Sequence, residues 1–335
     1  MDKPVVQFII YVILLTIGFT GSVAASIPEP SLSLPTLPQQ TLETRYQAIQ
    51  DYFENRAMLF LKGRPFQPWR ANKARADILA EFDQLNDWRF HTWYVDPNAK
   101  TLISRVDFIV AQDLLEKGLF RKPSYLAFQY NQTDSTYNSS TIVLNNFRFL
   151  ALEAPTAKTL RNFYLLLLNH RVTQLVRLTA ATENGIERST PYWLDKTKGD
   201  PTTGNAFLNV PQVASTNPYP VRYYATDNWF DNQSIAPSQL LKLILNVKKH
   251  YDPNGLIACH SSNGTGRAGT FLAGFLLISE IDRQIATGTA PSAVDISIER
   301  VVMQLSLQRP YMVRKAEQYV TLYRLVDLYI SQMKK

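Results

Sequence analysis

The stretch Leu256-Ile257-Ala258-Cys259-His260-Ser261-Ser262-Asn263-Gly264-Thr265-Gly266-Arg267-Ala268-Gly269-Thr270-Phe271 runs a short apolar segment, a loop with two glycines and the start of a long apolar segment in immediate succession. That order predicts a buried strand over 256–259, a tight loop, and a helix from 267 to about 285. A glycine-containing loop can turn several backbone N–H groups inward, and the helix start adds unpaired donors and partial positive charge. Such a unit is an anion site. Arg267 in the first helical turn can close it with a bidentate fork onto a phosphate or carboxylate. On these residues alone a tight turn with a surface arginine is the alternative. Cys259 reads as a small buried strand residue.

Outward from this unit the pattern alternates. Strands are predicted over 147–152, 172–178 and 221–226, and a helix over 158–169. A further helix over 238–250 has one apolar face, made by Leu240, Leu241, Ile244 and Val247. Two last helices are expected over 292–304 and 315–333. Residues 131–140, rich in Asn, Ser and Thr, read as a loop. Nearer the start, 42–61 has helical spacing, and Lys62, Arg64, Arg70, Lys73 and Arg75 form either a solvated surface or a patch that steers anions.

A chain of 335 residues with 45% hydrophobic and 19% charged residues can bury a sizeable core, which excludes a disordered or fibrous protein. One domain over 41–335 is favoured over two. Residues 1–25 pair one lysine with the apolar run 8–19 and end in Ser22-Val23-Ala24-Ala25, the pattern of a cleaved secretory signal; an uncleaved membrane anchor is the alternative. Four prolines within 26–40 suggest an extended linker. These features predict a secreted or periplasmic protein, touching a membrane only if the signal is retained. With one cysteine, Cys259, no internal disulfide can form. The net charge of +7 favours acidic partners such as phosphate esters, but there is no dense basic run or zinc-finger spacing, so nucleic acid is not expected. No metal cluster is visible in the sequence.

His260 and the run Gly266-Arg267-Ala268-Gly269-Thr270-Phe271 resemble the signature loop of the protein tyrosine phosphatases, in which His-Cys is followed by five residues and arginine. The family's cysteine falls on Ser261. Cys259 is out of register, because after five intervening residues the chain has Thr265 and not arginine. Trp229-Phe230-Asp231 resembles the family's mobile Trp-Pro-Asp loop, which carries the general acid. Gln308-Arg309-Pro310-Tyr311-Met312-Val313 through Gln318-Tyr319 is similar to the late glutamine loop. Leu150 to Pro155, Thr159, Phe163, Tyr164, Glu183-Asn184-Gly185 and Tyr192-Trp193 look like family core segments. Glu54-Asn55-Arg56 resembles the family's opening segment. The likeness covers about 146–331; the loop that selects phosphotyrosine would lie within 42–145.

This resemblance implies an α/β (α+β) fold, a twisted central sheet flanked by helices in a single domain. It implies a phosphate site made by Ser262, Asn263, Gly264, Thr265, Gly266 and Arg267, with Ser261 at the nucleophile position and Asp231 as general acid. His260, Glu183, Trp229 and Gln318 would support it, Glu183 by orienting Arg267. No metal or cofactor is required. The reaction it implies begins with attack by a cysteine thiolate, and serine is a poor nucleophile without an adjacent base. His260, next along the strand, should point to the opposite face.

Other departures fall on the same path. Ala268 stands where the family has a hydroxyl, Arg314-Lys315 where it has Gln-Thr, and Phe230 where it has proline. Several positions needed only for turnover have changed together, as in a natural pseudophosphatase that binds phosphotyrosine or another phosphate monoester. The alternatives are an active protein tyrosine phosphatase, a phosphatase-like phytase using Asp227 of Ala225-Thr226-Asp227 as its acid, or an interaction protein without a phosphate site.

Overall fold

The computed structural model describes residues 65–90, 137–212 and 215–333. The expected signal, linker, 42–61 helix and Glu54-Asn55-Arg56 lie outside these residues, as do Lys62 and Arg64. The described residues belong to one compact unit.

The elements run α1 (Arg75–Phe90), β1 (Ser139–Leu144), β2 (Phe147–Glu153), α2 (Leu160–Asn169), β3 (Val172–Arg177), β4 (Thr182–Glu183), β5 (Ile186–Glu187), β6 (Thr197–Lys198), β7 (Ala206–Val210), β8 (Tyr219–Ala225), α3 (Pro237–Lys249), β9 (Leu256–Ser261), α4 (Gly266–Ala286), α5 (Ile298–Gln308) and α6 (Ala316–Met333). Among the described residues seven strands form one sheet in the order β1-β2-β9-β3-β8-β7-β6. Strands β2, β9, β3 and β8 are mutually parallel, and the outer pairs are antiparallel. The carboxyl ends of the parallel strands therefore share one edge, where ligands of such sheets bind.

Alternation along β9 explains its burial on both faces. Ile257 and Cys259 join the larger core with helices α3 to α6, whereas Leu256 and Ala258 join the smaller core under α2. Helix α4 is apolar around most of its circumference and lies in the middle of the larger core. Burial pushes the Cys259 thiol well above its usual value, which fits a core residue and not a nucleophile.

Four differences from the sequence reading have local causes. Strand β1 begins at Ser139, inside the expected loop, because Asn145 and Asn146 at φ 51° and 65° form a tight turn that pairs it with β2. Helix α1 starts at Arg75 in what read as basic surface. Its buried face carries Ile78, Phe82, Leu85 and Trp88, but also Glu81 and Arg89, and those charges blur the apolar period. Glu81 is satisfied by Lys73, Tyr319 and Tyr323, which ties α1 to α6. Strand β7, inserted against β8, had no separate signal.

The helix expected over 292–304 is instead a single 3-10 turn at Pro291–Ala293 followed by α5. Ser297 caps α5, its Oγ accepting from Arg300 N at 3.2 Å. Replacing a cap of this kind costs about 1 kcal/mol, so Ser297→Ala should lower the denaturant midpoint correspondingly with an unchanged slope.

Candidate functional site

The loop between β9 and α4 is held from outside by its carbonyls. Ala154 N donates to Ser261 O at 3.0 Å and Ser262 O at 3.3 Å. Arg309 donates through Nη2 to Asn263 O at 3.0 Å and through Nε to Gly264 O at 2.7 Å. Thr265 O accepts from Gly269 N at 2.8 Å and Val313 N at 3.4 Å. Five successive carbonyls thus face away from the loop's centre. In a trans peptide the N–H of the next residue points opposite to each carbonyl. The N–H groups of Ser262, Asn263, Gly264, Thr265 and Gly266 therefore share the inner side, and none has a partner among the described residues. Together with the N-terminus of the 21-residue α4, this is an anion cradle.

Two glycines make the cradle possible. Gly264 has φ +66°, and a Cβ there would stand 2.0 Å from Leu152 O. A Cβ on Gly269 would come 2.4 Å from Val313 N, so α4 can abut the 309–313 segment only with glycine at that point.

Arg267, in the first turn of α4, is 1% exposed. Its Nη1 donates to Glu183 Oε1 and to Trp229 O, both at 2.5 Å. Nη2 reaches Asp231 Oδ1 at 3.4 Å, and Nε is buried with no hydrogen-bond partner. One edge of the guanidinium is thus fixed, while the Nε–Nη2 edge, the one that forks onto an oxyanion, is almost unused.

Burial works against the Glu183 carboxylate, yet the Arg267 guanidinium, with the Thr179 hydroxyl and Asp231 N–H, holds its carboxyl below the usual value. A depressed carboxyl stabilises the fold above its unfolded pKa, near the ordinary 4.5, and loses that contribution as pH falls through the folded value. The difference in melting temperature between wild type and Glu183→Gln should therefore be full at pH 7 and shrink below pH 4.5. A gap that stays constant down to pH 3 would refute this.

Ser261 is 3% exposed, and among the described residues no group hydrogen-bonds its Oγ. His260 leaves the opposite face of β9, where its Nε2 lies 2.6 Å from Tyr192 Oη and its ring meets Phe163 edge-on. Among the described residues no base hydrogen-bonds Ser261. Ala268 is fully buried and brings no hydroxyl.

Asp231 is clamped by Arg188 at 3.1 Å as well as by Arg267. Asp227 is bound instead to Arg177, itself stacked on Trp193 at 3.8 Å. Trp229 is fully buried, its Nε1 donating to Gln233 O at 2.8 Å. Gln318 closes the first turn of α6, accepting from Lys315 N at 3.2 Å and donating to Gln233 O at 3.2 Å, and its amide packs on Gly266. Among the described residues no cluster of His, Cys, Asp or Glu could hold a metal ion.

Three arginines were missed as parts of the site. Arg309 is fully buried; burial lowers its pKa to about 10 against the opposing pull of Glu153 and Tyr137. Arg89 donates from α1 to Met312 O at 2.5 Å and Val313 O at 3.1 Å, bracing the segment that braces Thr265. Arg188 had a readable signal: Asn184-Gly185 sets the β4–β5 register and so puts residue 188 on the Glu183 face.

The family model described as protein-tyrosine phosphatase matches residues 125–223 and 206–327, more than half of the chain. Human receptor-type tyrosine-protein phosphatase eta is 28% identical over 228 residues, which cover 62% of this chain and 16% of that protein. Human receptor-type tyrosine-protein phosphatase alpha is 27% identical over 202 residues, 55% of this chain and 24% of that one. The match thus spans a quarter or less of these relatives' length. The crystal structure of the Trypanosoma cruzi protein tyrosine phosphatase TcPTP1 superposes with a TM-score of 0.59 at 21% identity, over 77% of this chain and 91% of that one, a likeness of fold.

Proposed function

The chain belongs to the protein-tyrosine phosphatase family, and from that premise we propose that it is a phosphate-monoester-binding member, a reader of phosphotyrosine or a related group that does not turn it over. The observation that carries this reading is an asymmetry within one loop. Everything that grips an oxyanion is assembled: five inward N–H groups, a helix end, and an arginine with an unused edge. Part of what would break the ester bond is missing: among the described residues no base hydrogen-bonds Ser261, and Ala268 has no hydroxyl. A serine hydroxyl at neutral pH without a base is a poor nucleophile, whereas hydrogen bonds from fixed donors to phosphate need no chemistry from residue 261.

An active enzyme is the second reading. It is favoured by Asp231, whose carboxylate lies 3.4 Å from Arg267 Nη2, where a general acid would meet a leaving group. Asp227, held by Arg177, has no such contact among the described residues. Export also belongs to the proposal, on the strength of the 1–25 sequence; N-terminal sequencing of the protein from its native host would find cleavage after Ala25.

Fluorescence anisotropy with a labelled phosphotyrosine peptide tests the main reading. The phosphorylated peptide should bind, inorganic phosphate should compete, the unphosphorylated peptide should not bind, and no phosphate should be released over hours. Steady phosphate release would establish the enzyme reading, and absence of binding to either peptide would leave only an interaction role.

A further inference from the structure

Two arginines, Arg267 and Arg188, stand beside the cradle, and each is matched by a carboxylate. Arg267 pairs with Glu183 at 2.5 Å and Arg188 with Asp231 at 3.1 Å. Arg177, in register with His260, leaves the sheet on the face away from Ser261 and pairs there with Asp227. The charges around the loop therefore cancel, leaving the inward N–H groups, the helix end and one guanidinium edge to attract a ligand. That complement suits one phosphate. A ligand crowded with phosphates would bring its further dianions against Glu183 and Asp231, whose arginine partners are already paired.

Two exposed apolar residues lie on the loops that hold Arg267. Ile186 is 55% exposed and Phe230 is 40% exposed. Asn184 and Gly185, at φ 51° and 75°, make a two-residue turn that sets Glu183 directly opposite Ile186. Directly opposed residues send their side chains from the same face of a hairpin, and the Glu183 side chain goes to Arg267. Ile186 therefore shares the cradle's side. Phe230 sits between Trp229, whose carbonyl accepts from Arg267, and Asp231, whose N–H donates to Glu183 Oε2 at 2.8 Å. The two apolar side chains thus stand on adjoining loops joined by that hydrogen bond, each next to a residue that holds Arg267.

We infer that Ile186 and Phe230 form an apolar shoulder that selects a singly phosphorylated, extended protein segment carrying an apolar side chain within two residues of its phosphoresidue. This rests on the phosphate-binding reading and narrows it. An extended chain advances roughly 3.3 Å per residue, which brings the side chains of near neighbours to the rim of the same pocket. An inositol polyphosphate has only hydroxyls and phosphates to offer there, and apolar surface rewards neither.

The test is anisotropy with two monophosphotyrosine peptides, flanked by leucine or by alanine, with inorganic phosphate and inositol hexakisphosphate as competitors, on wild type and on the Ile186→Ser/Phe230→Ser double variant. Wild type should prefer the leucine-flanked peptide by about tenfold, the scale of burying one apolar side chain. The double variant should lose that preference and keep its affinity for inorganic phosphate within about twofold, a change too small to involve the cradle. Equal binding of both peptides by wild type, a preference that survives in the double variant, or inositol hexakisphosphate displacing peptide at lower concentration than inorganic phosphate would overturn the shoulder alone. If wild type binds neither peptide nor inorganic phosphate, the phosphate-binding reading falls, and this inference falls with it.

Discussion

Ser261→Cys is expected to convert the protein from a binder into a single-turnover phosphatase, releasing about one equivalent of p-nitrophenolate per protein in a burst, as an activated nucleophile with a stalled second step would. The wild type should release none on the same timescale. The inward N–H groups and the α4 N-terminus that would hold a phosphate would also hold a thiolate at residue 261, which lowers a thiol's pKa and makes it nucleophilic near neutrality. Asp231, which pairs with Arg267 at 3.4 Å, is the residue expected to protonate the leaving oxygen on the enzyme reading. Hydrolysis of the resulting phosphocysteine should then be slow. Ala268 supplies no hydroxyl to help sulfur depart, and the Gln318 amide is committed to Lys315 N and Gln233 O. Stopped-flow absorbance separates the two steps. A burst establishes a complete pocket that lacks only its nucleophile, whereas no burst from a folded variant would mean that the decay extends to the acid loop. Sustained turnover by the wild type would refute the binding reading outright.

Arg267→Ala should reduce phosphotyrosine-peptide affinity by roughly 10²- to 10³-fold, the scale of losing a charge-assisted bidentate contact. The same change strands Glu183, which is 2% exposed, without its cation. Removing one partner of a buried ion pair costs about 3–5 kcal/mol, so the variant should also unfold at distinctly lower denaturant. Arg267→Lys separates the two effects. It keeps a positive charge near Glu183 but offers a point charge in place of a planar fork, so more stability than affinity should return. Affinity unchanged in a folded Arg267→Ala would remove Arg267 from the phosphate site. Circular dichroism at the assay temperature provides the control for folding.

The elements nearest the site were legible because their signals are local. The strand 256–259, the loop with Gly264 and Gly266, and the helix beginning near Arg267 follow one another without interruption, and the structure extends them only slightly, to β9 ending at Ser261 and α4 starting at Gly266. The opposite facing of His260 and Ser261 follows from the two-residue period of a strand. Errors came where a pattern was mixed or a strand depended on a partner. Helix α1 buries Glu81 and Arg89 beside its apolar residues, and β1 and β7 exist as strands through β2 and β8.

By itself, then, the sequence determined a strand-loop-helix unit, the serine within it and the likeness to a phosphatase family, because backbone conformation and residue identity there depend on a few consecutive residues. Tertiary structure alone decided what holds that unit in shape. Arg309 reaches the loop carbonyls from 45 residues beyond Gly264, Glu183 fixes Arg267 from 84 residues before it, and Arg89 braces the Met312 carbonyl from 223 residues away. Such contacts have no period and no spacing rule. They arise when the β2-β9-β3-β8 order brings the carboxyl ends of parallel strands to one edge, where buried carbonyls and carboxylates require donors that arginines and backbone N–H groups from distant segments supply.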